Sequence, residues 1–318
     1  MLRAAVSEPP LPLAMQSHAH SGSAREGKSR RQDAFPRLFC FTVIGVASET
    51  ALVAHQFRTS TGVFACDASA IFSNASSIPG LPASLPLIAA IKGNIAVQRD
   101  SQWGSYANSQ LFIQLWRHFD SSLQHVFRSF EWIIKVDPDT VLLPSLLRIL
   151  LGDLETETKG PDRRATGLRP HRDAINARHV PGWIGGPLET YSSAGMKLLT
   201  QHIHQCAEWC DASSDWGKAE DVWLTCCTDI LRQNHLIRTC INARLLHWYG
   251  ESMPQAANGS KGFKEEEIRR SCTDRLVAAY HPQKTVDHYK RCSRSGDALL
   301  SRSVGGSIES GSLKWNCL

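Results

Sequence analysis

The 318-residue chain has a formal net charge of +5, 42% hydrophobic residues and ten cysteines. That is the length of one large domain or two small ones, with enough apolar residues for a sizeable core. Apart from Arg25, Lys28, Arg30, Arg31 and Arg37 the basic residues are scattered, which argues against a nucleic-acid partner.

No C-x-x-C pair is present, so the cysteines read as disulfides of an oxidising compartment and not as a zinc ribbon. Asn74-Ala75-Ser76 and Asn258-Gly259-Ser260 fit the N-glycosylation acceptor pattern and agree with that compartment. Residues 1–35 lack a sustained apolar core and read as a disordered leader or stem, with no clear signal peptide. The stretch from Leu38 to Ala54 contains Ser48, Glu49 and Thr50 and is shorter than the ~20 apolar residues of a membrane span. It predicts a strand running into a helix, and no transmembrane segment is evident.

In chain order, Leu38–Ile44 is an apolar, β-rich run suited to a strand buried on both faces, and Glu49–Arg58 predicts a helix. Further strands are expected around Ala70–Ser73 and Leu87–Ile91. Apolar residues recurring at three- and four-residue intervals from Leu111 to Phe127 predict a long amphipathic helix over 105–130. Glu131–Val136 follows as a strand, Pro144 opens a helix over Ser145–Leu151, and Gly152–Ala177 reads as a surface loop. A short strand is expected at Val180–Ile184 and helices at Tyr191–Cys206 and Gly217–Arg232. Residues 293–318 are Ser- and Gly-rich and read as a flexible tail after a single domain over 36–292. Strands alternating with helices imply an α/β sandwich with a mostly parallel central sheet.

Asp137-Pro138-Asp139-Thr140 ends the strand at Val136, the place where open α/β sheets put their ligands. Two carboxylates one residue apart on a turn can bind a hard divalent cation such as Mn²⁺ or Mg²⁺, which also bridges phosphates. Lys135 precedes the motif and either meets phosphate or, by strand alternation, faces away. Glu220 and Asp221 open a predicted helix, where acids also serve as caps. Trp183, Trp216, Trp223 and Trp248 are candidates for stacking on sugar or for the core.

Trp132-Ile133-Ile134-Lys135-Val136-Asp137-Pro138-Asp139-Thr140 resembles the acidic-triplet segment of the fringe and core 1 β1,3-galactosyltransferase family. Gly185-Gly186, Glu220-Asp221-Val222 with Cys227 after it, and His281-Pro282 follow in the family's order, while Phe39–Ile44 and Cys66-Asp67 resemble its beginning. The likeness spans about Phe35 to Cys292. It departs at Pro138, at Ser60-Thr61-Gly62 where a Trp is missing, at Thr225 in place of a glycine, and at Pro187-Leu188-Glu189 after Gly186.

The resemblance implies a GT-A-type, Rossmann-like fold and a Golgi or secretory-lumen hexosyltransferase. Asp139 would be the principal metal ligand, His281 would complete the site, and Asp137 would hold the metal's water shell or the donor ribose. Asp221 would be the base, with Glu220 in reserve; Asp137, Lys135, Gly185 and Gly186 would bind the donor. The implied partners are a UDP-sugar and a glycan on a protein or lipid, and the last departure leaves the acceptor open. The alternatives are a non-catalytic sugar-binding relative and a haloacid-dehalogenase-like phosphatase, for which Asp137-Pro138-Asp139-Thr140-Val141 also fits, with the first Asp as nucleophile.

Overall fold

The computed structural model describes residues 35–45, 47–73, 75, 77–82, 88–90, 108–157, 174–178, 180–210, 218–248, 272, 277–305 and 315–317. The expected leader lies outside these except for Phe35, as do Asn74, Asn258 and Trp216.

The first half is a run of parallel strands. Strand β1 (Leu38–Val43) is followed by α1 (Ala47–Thr59), β2 (Ala68–Ser73), β3 (Ile88–Ala90), α2 (Ser109–Ser122), the short α3 (Val126–Ser129) and β4 (Trp132–Val136). β1 pairs in parallel with both β2 and β4, and β2 with β3. The single helix expected over 105–130 is thus interrupted at Leu123–His125, and its first residues lie outside the described set.

β1 shows why the run is apolar but for Thr42. Leu38 and Cys40 point into one core, with Leu52 and Val53 of α1, and Phe39 and Phe41 into the other, with Trp116 and Phe119 of α2. A strand covered on both faces has no solvent side to make polar. Phe41 meets Phe72, Trp116 and Phe119 at ring-centroid distances of 5.1 to 5.7 Å. Each such side chain contributes about 1.5–3 kcal/mol by leaving water.

Beyond β4 come β5 (Val141–Leu142), α4 (Pro144–Glu157), β6 (Ile175–Arg178), β7 (Leu188–Ser192), α5 (Ser193–Gln201), α6 (Ile203–Trp209), α7 (Glu220–Gln233) and β8 (Arg238–Ile241). The chain then forms β9 (Leu246–Trp248), β10 (Ala279–His281), α8 (Val286–Gly305) and β11 (Asn316–Cys317). Among the described residues the main sheet has eight strands in the order β11-β8-β6-β7-β4-β1-β2-β3, and a second sheet is ordered β5-β10-β9. β7 runs antiparallel to β4 and β6, and β11 antiparallel to β8, while β6 and β8 are parallel. The mixed α/β architecture with a mostly parallel sheet is therefore present, compatible with a Rossmann-like fold.

Several expectations need correction. In place of the strand expected at Val180–Ile184 there is one bridge, Val180 to Trp183, closing a turn in which Gly182 takes φ +73. The strand is β7, and the helix after it starts at Ser193, where Ser192 caps by accepting from the Gly195 amide at 3.1 Å. The loop expected over 152–177 is helix as far as Glu157 and strand from Ile175.

The tail expected over 293–318 begins instead as the continuation of α8 to Gly305. Its serines mark a helix with one covered face, on which Tyr289 and Cys292 are buried and Gly296 comes against Leu143 and Tyr280. Further on, Trp315 donates to the Leu150 carbonyl at 3.1 Å, and Cys317 is bonded to Cys240.

All ten cysteines are paired, as Cys40–Cys66, Cys206–Cys227, Cys210–Cys226, Cys240–Cys317 and Cys272–Cys292. Five disulfides fit a lumenal or secreted protein. Among the described residues no helix is long and apolar enough to cross a membrane.

Candidate metal and active site

The site begins where β4 ends. The Thr140 amide donates to the Asp137 carbonyl at 3.0 Å, so Asp137-Pro138-Asp139-Thr140 is a β-turn with Pro138 at its second position. Proline fits that position because its ring fixes φ and no amide is needed there. Gln56 holds the turn from α1, its side-chain amide donating to the Pro138 carbonyl at 2.8 Å.

His281 reaches this turn through the small sheet. β10 pairs antiparallel with β5 in the register Tyr280 to Val141, which sets His281 beside Thr140 although 141 residues separate them in the chain. Its Nδ1 lies 3.1 Å from Thr140 Oγ1 and 3.3 Å from Asp139 Oδ1. The ligand atoms of Asp137, Asp139 and His281 all fall within 4.8 Å of one another. Ligands at about 2.0–2.3 Å from one ion are separated by roughly 3 to 4.5 Å, so small side-chain rotations close the group around a divalent cation. Two carboxylates and an imidazole form a donor set suited to such an ion.

Asp139 is buried and Asp137 one-third exposed. Burial pushes the Asp139 pKa up, but His281 and the Lys284 ammonium on Oδ2 outweigh it and hold the carboxyl below its usual range. It is therefore ionised and ready to ligate.

Lys135 faces this site, which settles its orientation on the strand. Its ammonium lies 2.9 Å from Asp137 Oδ1, 3.0 Å from Glu189 Oε1 and 3.3 Å from Glu220 Oε2, and donates to the Gly186 carbonyl at 2.5 Å. Burial alone would lower its pKa, but the three acids hold it well above the ordinary lysine value. One cation cannot neutralise two buried carboxylates and a third that is partly exposed. Burial first, then neighbouring Glu189, drive the Glu220 pKa well above normal, and Glu189 is raised by burial too. Glu189 Oε2 and Glu220 Oε1 have no hydrogen-bond partner among the described residues, so this buried acid pair is short of donors.

Asp221 stands next in α7 and is only partly buried. The Asn108 side chain caps that helix, accepting from the Glu220 amide at 2.9 Å. Burial and then the adjacent Glu220 raise the Asp221 carboxyl to about 7. Gly186 is held against it: a Cβ there would lie 3.2 Å from the Asp221 Cβ. Gly185 begins the turn into β7, its carbonyl accepting from the Leu188 amide at 3.1 Å. Thr225, the departure from the family glycine, donates to the Asp221 carbonyl at 2.7 Å and accepts from the Ile184 amide at 2.9 Å. It fastens the Gly185-Gly186 turn to the helix that carries the acid.

The structure thus brings Lys135, Asp137, Gly186, Glu220 and Asp221 into one cluster and joins Asp139 and His281 to it through Asp137. Sequence reasoning missed Glu189 and Lys284. Glu189 left a signal, an acid inside the β-forming run Leu188–Tyr191; Lys284 left none, since only the β5–β10 pairing carries it to Asp139. Trp223 belongs to the core, its indole donating to the Cys210 carbonyl at 2.9 Å.

A cleft of about 680 Å³ opens at the carboxyl ends of β1 and β2, bordered by Ile44, Gly45, Ser73, Arg58 and Val286, with none of Asp137, Asp139 and His281 in its lining. This is the size and location of small-molecule sites in open α/β sheets.

No protein-family model matches the chain, and no curated protein matches it.

Proposed function

We propose that the protein is a metal-dependent inverting glycosyltransferase of the GT-A type. It moves a hexose, galactose by resemblance, from a UDP-sugar to a glycan hydroxyl in the Golgi or secretory lumen. The observation that supports this best is the Lys135 ammonium, which ties a metal-binding carboxylate, Asp137, to the Gly186 carbonyl and to the Glu220 that precedes Asp221. A proton acceptor and a cation site held by one buried charge suit a reaction that deprotonates one oxygen while another leaves as an anion.

Asp137, Asp139 and His281 would hold Mn²⁺ or Mg²⁺. When bound, such an ion acts as a Lewis acid that neutralises the charge developing on the departing diphosphate. Asp221, poised near 7, takes the proton of the acceptor hydroxyl. The oxygen attacks the anomeric carbon from the face opposite UDP; the new C–O bond forms as the bond to the diphosphate breaks, and UDP leaves with that electron pair. Gly186 leaves room beside Asp221, and Lys135 keeps Asp137 and Glu220 in register.

The test is a three-way assay. Mn²⁺-dependent hydrolysis or transfer from UDP-galactose is the expected result. Release of phosphate from p-nitrophenyl phosphate would make the protein a phosphatase, a reading disfavoured because three strands precede the Asp137 strand in the chain. UDP binding with neither activity would make it a sugar-nucleotide-binding relative.

A further inference from the structure

Each carboxylate of the Asp137–Asp139 pair already carries a lysine, and the two lysines are unlike. Lys135 is 3% exposed and held by several oxygens, so no ion can dislodge it without unpairing a buried charge. Lys284 is 67% exposed, and among the described residues its ion-pair partner is Asp139 Oδ2. Its main chain is fixed independently, the neighbouring Gln283 amide donating to the Asp139 carbonyl at 2.7 Å. The ammonium can therefore swing away on its four-carbon stem while the backbone stays in place. It also neutralises the carboxylate that a divalent cation between Asp137, Asp139 and His281 would ligate. Val286, two residues on, borders the cleft at the ends of β1 and β2.

We propose that Lys284 is a built-in counter-ion at the metal position: a divalent cation displaces it, and the released ammonium then binds the diphosphate of the ligand. The proposal rests on the metal-centre reading above. It explains how two acids can sit together with a charge-balanced site before any ion arrives. It also makes the divalent cation and the diphosphate cooperative, because each favours the same swing of one side chain.

The test uses the full chain and its Lys284→Met and Lys284→Arg variants. Free Mn²⁺ is followed by electron paramagnetic resonance, and UDP binding is measured by calorimetry at saturating Mn²⁺. Lys284→Met should bind Mn²⁺ alone roughly fivefold more tightly, the scale of one exposed ion pair, because its competitor is gone. It should bind UDP in the presence of Mn²⁺ several-fold more weakly, and Lys284→Arg should stay near wild type in both. Unchanged or weaker Mn²⁺ binding by Lys284→Met overturns the counter-ion, and unchanged UDP affinity overturns the diphosphate contact. If no protein binds Mn²⁺, the proposal and the metal centre fall together. Tighter Mn²⁺ binding with no UDP binding by any of them supports the counter-ion and removes the nucleotide-sugar reading alone.

Discussion

Asp221 and Glu220 are adjacent in sequence and differ in what the fold lets them do. Glu220 is enclosed, with its pKa driven well above normal, whereas Asp221 is partly open and raised to about 7. Asp221→Asn preserves shape and loses the basic oxygen, so transfer should fall on the order of 10²–10⁴-fold while UDP and Mn²⁺ affinities stay near wild type. Full turnover in Asp221→Asn with loss in Glu220→Gln would assign the base to the other acid. The base works only when ionised, so wild-type turnover should rise with pH through about 7. Folding stability has the opposite slope. An acid whose pKa is raised in the folded state binds more protons there than in the unfolded chain, so its contribution declines from about pH 4 to 7, and denaturant titrations of Asp221→Asn should lack that decline. Asp139→Ala should abolish metal binding with little loss of fold, since a turn carboxylate contributes no apolar packing; unaltered Mn²⁺ affinity in calorimetry would exclude Asp139 as a ligand. Lys135→Met is different in kind, for it leaves several acids buried without their cation. Removing one partner of a buried pair costs about 3–5 kcal/mol, visible as a large drop in melting temperature at neutral pH.

Among the elements, α8 and the β5-β10-β9 sheet support the site from behind. Gly296 lets the helix approach closely, since a Cβ there would sit 2.8 Å from Leu143 Cδ1 and 3.4 Å from the Tyr280 ring. Gly296→Val should cost about 1–3 kcal/mol by overpacking and should weaken Mn²⁺ binding, because Tyr280 precedes His281; a variant with wild-type melting and metal affinity would show that α8 does not support the site. This region was the least legible in the sequence. β1, β4 and the acidic turn were readable because largely apolar runs, Leu38–Ile44 interrupted by Thr42 and Trp132–Val136 by Lys135, admit few alternatives to a buried strand. β7 hid because Glu189 and Thr190 are polar yet buried, so neither alternation nor an apolar run marks it. α8 hid because its serines and glycine resemble a linker, and only the packed face with Tyr289 and Cys292 shows otherwise. The site divides the same way: local motifs supplied Asp137, Asp139 and the Glu220-Asp221 pair, Glu189 shows locally only as an acid among β-formers, and Lys284 depends on a strand pairing that no local pattern encodes.

At the scale of the molecule, disulfides brace both faces of the sheet. Cys40–Cys66 anchors β1, two bridges join α6 and its end to α7, Cys272–Cys292 ties α8 to the chain before β10, and Cys240–Cys317 fastens the last strand. Protein made through a secretory route should yield these five linked peptide pairs on non-reduced mass mapping, and reduction should lower its melting temperature, each structural bridge being worth about 2–5 kcal/mol. Ten free thiols in active protein would place it in a reducing compartment instead.

The pairing of β10 with β5 also has a consequence for the order of events during synthesis. β1 to β4 and their helices precede residue 158, whereas His281 and Lys284 join the acidic turn from 141 and 145 residues further along the chain. Contacts so distant in sequence close late. A ribosome-bound chain that has released only the residues before 158 can hold the acidic turn but lacks the imidazole, so ion-binding competence waits for the segment around His281. Mn²⁺ capture by nascent chains of increasing length would then act as a clock for completion of the fold, with a step once the β9–β10 region has emerged.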